Sequence, residues 1–104
     1  MTLRPPSAYV GSGKVPDSLG LLDYEIAAEK ASSLGRAGRK VEETLAALFA
    51  FEGETEDKQP LLKEAAEAVY AYFIQRELCG MRRHQDVIRE YAIPNEVLVR
   101  LGAK

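Results

Sequence analysis

A stripe of nine uncharged residues at heptad spacing constrains this chain more than any other feature. Alternating steps of four and three from Gly20 land on Tyr24, Ala27, Ala31, Leu34, Gly38, Val41, Leu45 and Leu48, and the stripe first meets a charge at Glu52. Charged residues make up 29% of the sequence, so an uncharged run of this length marks a face turned away from water. Spacing of 3.5 residues sustained over this distance is how a long helix presents one seam to another helix.

The first helix is expected to start between Asp17 and Leu22, with Asp17 or Ser18 as its N-cap, and to end near Phe51 or Glu52. Gly35 and Gly38 lie in its middle, where each costs about 1 kcal/mol relative to alanine. The stripe keeps its phase across both, which favours one continuous helix over a break at "GRAGR". Gly38 falls on the seam, where a missing side chain lets a neighbour come close. The segment "EGETEDK" at 52–58 reads as a solvated turn, since its carboxylates match no calcium-loop spacing.

A second helix is expected from about Asp57 to Cys79, with Pro60 in its first turn and Gly80 just past its end. Between Ala65 and Ile74 its one charge is Glu67. That predicts burial on more than one side, with Leu62, Ala66, Val69 and Phe73 on one line and Tyr70, Ile74 and Leu78 on the next. Two short helices follow at roughly 83–91 and 95–101, separated by "YAIPN", where Pro94 breaks helical geometry and then restarts it. No strand-like alternation occurs. The fold class is all-α: an elongated antiparallel helical hairpin plus two short C-terminal helices.

Size turns this into an expectation about assembly. A helix over residues 21–51 is about 45 Å long at 1.5 Å per residue, whereas a compact domain of about 100 residues has a radius of gyration near 13 Å. One hairpin has too few helices to cover both apolar stripes. A homodimer completing a helical bundle would cover them, a monomer folded back at the glycines being the alternative, and Tyr24, Ala27, Ala31, Leu34, Gly38, Val41, Leu45 and Leu48 are the expected dimer or helix-packing seam.

Residues 1–17 form a separate arm ahead of a single helical domain at 18–104. Prolines at 5, 6 and 16 and glycines at 11 and 13 exclude a regular helix there and predict flexibility, with Tyr9 and Val10 as the docking candidates. "GSGK" at 11–14 lacks the leading glycine and the hydroxyl residue after the lysine that a phosphate loop requires. The longest wholly apolar run is Ala68–Ile74, far below the ~20 residues that span a bilayer. The first residues lack the apolar core of a secretory leader, and one cysteine makes no internal disulfide. The expected setting is cytoplasmic, without membrane contact.

The segment 84–101 carries a functional pattern. Val87, Tyr91, Ile93, Leu98 and Leu101 are spaced like the core of a helix-turn-helix. Ile88 stands where such motifs keep a small residue, and Ala92 replaces the turn glycine. The second helix would offer Asn95, Glu96 and Arg100, with Arg82, Arg83, Arg89 and Arg100 as the candidate anion or nucleic-acid contacts. A net charge of −2 does not argue for a polyanion partner, so nucleic acid is the alternative reading and packed structural helices the main one. Arg36, Arg39 and Lys40 form a second basic cluster on the first helix, read as a solvated face.

No catalytic residue is assigned. Cys79 and His84 could approach across a helix end, but a C-terminal helix dipole disfavours a thiolate. Glu42 and Glu43 point in different directions. No Cys/His set has metal-ligand spacing, and neither cofactor nor metal is expected. A third possibility is a small-molecule pocket among Tyr70, Tyr72, Phe73 and Tyr91.

The stretches "LDYEIAAEKASSLGRAGRKVE", "QRELCGMRR" and "YAIPNEVLVRLG" resemble a family of short, uncharacterised bacterial proteins known as a domain of unknown function. The resemblance covers nearly everything after residue 20 and stops short of the arm. It implies a bacterial cytoplasmic setting and brings no catalytic or binding residue. The expectation is a non-enzymatic helical protein acting through homo-oligomerisation and contacts with an unidentified protein partner.

Overall fold

The computed structural model describes residues 18–102, with side chains described from Gly20 onward. The expectations for residues 1–17, including the docking of Tyr9 and Val10 and an Asp17 cap, lie outside the described residues. The elements are α1 (Ser18–Ala50), α2 (Thr55–Leu78), α3 (Gln85–Glu90) and α4 (Asn95–Leu98). Among the described residues there is no strand, and no helix is long and apolar enough to cross a membrane.

The described residues divide into two units, one ending at Ala31 and the other beginning at Ser32. In the first, the described part of α1 lies open to solvent at every position from Gly20 to Ala31. In the second, Val41, Leu45 and Leu48 of α1 pack with Leu62, Ala65, Ala66, Ala68, Val69, Tyr72 and Phe73 of α2. Val87, Ile93 and Val97 close this core from the C-terminal segment. Thr44 is buried among them without cost to hydrogen bonding: its hydroxyl lies 2.9 Å from the Lys40 carbonyl and 3.1 Å from that of Val41.

α1 runs unbroken through Gly35 and Gly38, as the phase of the stripe predicts. Packing outweighs the two glycine penalties, since Gly38 is buried and the residues after it supply the core. α2 begins two residues earlier than expected. The Glu54 carbonyl accepts the amides of Asp57 (3.0 Å) and Lys58 (3.2 Å), and Glu56 and Asp57 place negative charge in the first turn, where the helix dipole favours it. Pro60 therefore sits in the second turn rather than the first.

Two helix ends share one device. After α2, the amide of Met81 reaches the Arg76 carbonyl (2.8 Å) and that of Gly80 reaches Glu77 (3.0 Å), with Gly80 at φ +90°. After α3, Ile93 bonds to the Ile88 carbonyl (3.0 Å) and Ala92 to Arg89 (3.1 Å), with Ala92 at φ +53°. Both are Schellman endings, but the second forces an alanine into the left-handed region that glycine occupies freely. The pairing of Ile93 with Ile88 across that ending explains why position 88 is not small: both side chains pack on the core. α4 is shorter than the expected 95–101, and the residues after Leu98 continue as turns.

α2 is buried on two lines, Leu62–Ala66–Val69–Phe73 and Ala65–Ala68–Tyr72. The third line corrects the sequence expectation. Tyr70, Ile74 and Leu78 are 48%, 40% and 60% exposed.

Candidate functional site

The heptad stripe has two fates. Gly38, Val41, Leu45 and Leu48 are buried, and Leu34 is half-buried against the same core. These five pack within the chain's own core, on the helix-packing side of the expected seam. Tyr24, Ala27 and Ala31 stay exposed. With Tyr24 at 73%, the neighbouring Leu21, Leu22 and Ile26 are 58%, 49% and 46% exposed.

A polar network joins α2 to the segment leading into α3. The Arg76 guanidinium donates from Nε to His84 Nδ1 (3.2 Å) and from Nη2 to the Arg83 carbonyl (2.8 Å). His84 Nε2 lies 3.0 Å from Glu77 Oε2, and the imidazole stacks on Phe73 at 4.1 Å between ring centroids. Because Arg76 has only protons to give, Nδ1 must be the acceptor and Nε2–H the donor to Glu77. Both ring nitrogens are committed, so His84 has no lone pair to offer a substrate. Cys79 caps α2, its amide bonded to the carbonyls of Gln75 (3.2 Å) and Arg76 (3.0 Å), at the negative end of the helix.

A second cluster gathers around Gly38. Tyr72 and Tyr91 meet edge to face at 5.9 Å between centroids, and Arg76 lies 5.8 Å from the Tyr72 ring centre. Burial, a hydrogen bond with the Tyr72 hydroxyl and the nearby Tyr72, Glu42 and Glu90 all disfavour the Tyr91 phenolate, pushing its pKa up to about 12. The aromatics proposed as a ligand pocket thus part company: Tyr72 and Phe73 fill the core, Tyr91 packs on it, and Tyr70 faces outward.

Beside Tyr70, an open groove of about 750 Å³ runs along α2, lined by Pro60, Lys63, Ala66, Glu67, Arg100 and Gly102 among others. Arg100 donates to Gln59 Oε1 (2.6 Å), and Lys58 pairs with Glu96 (3.1 Å), so two polar residues of the would-be recognition segment, Glu96 and Arg100, are tied to α2. The four candidate anion contacts do not act alike. Arg89 is paired with Asp86 at 2.9 Å, Arg100 is half-buried in the groove, and Arg82 and Arg83 are exposed. Arg36 of the second basic cluster donates to Ser32 (2.8 Å) and Ser33 (3.0 Å). Among the described residues no group of three His, Cys, Asp or Glu side chains could hold a metal.

Compared with known families, the whole chain, residues 1–104, matches one of unknown function, DUF6665. The chain belongs to that family. No curated protein and no solved structure matches it. The DUF6665 match includes residues 1–20, which the quoted stretches did not reach. Membership in DUF6665 brings no assigned activity. Sequence reasoning passed over the relation among Lys63, Tyr70 and Glu77 on α2, although their heptad spacing is legible in the sequence.

Proposed function

We propose that this DUF6665 protein is non-enzymatic and acts by self-association and contacts with other proteins. The observation that carries the reading is apolar surface left outside the core on long helices: Leu21, Leu22, Tyr24 and Ile26 on α1, and Tyr70, Ile74 and Leu78 on α2. Soluble chains seldom expose clustered side chains of this size unless something covers them. From Gly20 to Ala31 every residue of α1 is exposed, so a partner that covers this stretch would add apolar burial. Non-catalytic action fits the commitment of both His84 nitrogens and the position of Cys79 at a helix C-terminus. A reducing aqueous setting such as the cytoplasm fits a single cysteine.

Nucleic-acid binding through 84–101 is the weaker reading. α4 is one turn long, Glu96 and Arg100 are engaged by α2, and the net charge is −2. Light scattering tests the main reading. Wild type is expected at a mass above 11.5 kDa, and Leu22→Glu with Ile26→Glu, or Ile74→Glu with Leu78→Glu, is expected to lower it. A wild type of 11.5 kDa throughout would overturn it.

A further inference from the structure

The outward face of α2 carries apolar knobs, a hollow and two opposite charges arranged symmetrically about one residue. Lys63 lies seven residues before Tyr70 and Glu77 seven residues after it, and all three are exposed. Seven residues make almost two helical turns, about 10 Å, so the three share a face. Ile74 and Leu78 project on the C-terminal side of Tyr70. On its N-terminal side, Pro60, Lys63 and Ala66 line the groove, and at Ala66 the wall is only a methyl group.

We propose that a second copy of this chain docks here, its α2 antiparallel to the first, with the two-fold axis passing beside Tyr70. This deepens the self-association reading and rests on it. A two-fold interface must be self-complementary, because residue i meets j wherever j meets i. Antiparallel packing about Tyr70 sets residues equidistant before and after it opposite each other. Lys63 of each copy then meets Glu77 of the other, giving two ion pairs. Ile74, four residues past the axis, enters the hollow over Ala66, four residues before it. Leu78 comes to rest at the turn holding Pro60 and Leu62. Knob and hollow belong to the same helix, so each copy fills its partner's groove. Parallel packing would instead set Lys63 on Lys63 and Glu77 on Glu77. A carboxylate has two oxygens, so Glu77 keeps His84 on Oε2 while offering the other. The groove is open, and Lys63, Glu67 and Tyr70 on its wall are exposed, which suits a helix side chain better than an enclosed small molecule.

Charge reversal tests the arrangement. Lys63→Glu alone and Glu77→Lys alone each create two like-charge contacts and should weaken the dimer about tenfold or more by sedimentation equilibrium. An equimolar mixture of the two variants should recover wild-type affinity, since the heterodimer restores both opposite pairs. Tyr70→Cys, in a Cys79→Ser background, should cross-link rapidly between copies with a short bismaleimide, which reports the axis even if Glu77→Lys fails to fold. A dimeric wild type whose affinity is unchanged by Lys63→Glu, whose variant mixture shows no recovery, or whose Tyr70→Cys does not cross-link overturns this arrangement and leaves self-association standing. A monomeric wild type overturns both.

Discussion

Substitution of Gly38 gives the sharpest reading of how α1 meets its neighbours. The residue is buried inside a continuous helix, and a methyl group built on it would lie 3.4 Å from Tyr72 Cε1, 3.4 Å from the Tyr91 hydroxyl oxygen and 3.8 Å from Tyr72 Cζ. Those are ordinary contact distances, so alanine fits. Helix propensity then decides the sign, and Gly38→Ala is expected to stabilise by about 1 kcal/mol. That is a rise in Tm of roughly 4–8 °C for a domain of this size. Gly38→Leu places further atoms where the two tyrosine rings already stand, and overpacking of that kind costs about 1–3 kcal/mol. The sequence places Gly38 on the seam but does not give the distance to its neighbour, which decides the sign. Thermal melts followed by circular dichroism, with urea midpoints as a check, compare the three proteins. A destabilised Gly38→Ala would show that the rings stand too close for a methyl group, and a Gly38→Leu as stable as wild type would refute the contact with Tyr72 and Tyr91.

Ala92→Gly should also stabilise. Relief of left-handed strain of about 1–2 kcal/mol exceeds the added backbone entropy of about 0.5–1 kcal/mol, and a lowered urea midpoint would contradict this. Leu48→Ala empties a buried site and should cost about 2–5 kcal/mol in urea unfolding; a cost below about 1 kcal/mol would place Leu48 outside the core. Tyr91 holds its proton in the folded state up to about 12, against 10 for the free side chain. Its contribution is therefore complete below pH 10 and is lost as the pH rises through 12, so Tm should fall across that window and Tyr91→Phe should fall less steeply.

The architecture was legible where periodicity acts over many residues. α1 could be read across both glycines because one side of a helix repeats, and Gly80 marked the end of α2 because a left-handed residue is needed there. The start of α2 was missed by two residues because backbone bonds to the Glu54 carbonyl, rather than a side-chain cap, begin it. Exposure was less legible than helicity. Tyr24 and Leu45 belong to the same stripe, yet one is open to solvent and the other buried, since a heptad pattern states that a face is apolar and not what covers it. Tyr70, Ile74 and Leu78 were read as buried for the same reason. The network of Arg76, Glu77 and His84 gave little signal, because residues seven or eight apart meet only once the chain turns back after Gly80.

Self-association is the central claim, and sedimentation equilibrium of the full chain over a range of micromolar concentrations tests it most directly. The expected result is a reversible dimer, with apparent mass rising toward twice 11.5 kDa as concentration increases. A single ideal species of 11.5 kDa at every concentration would contradict it.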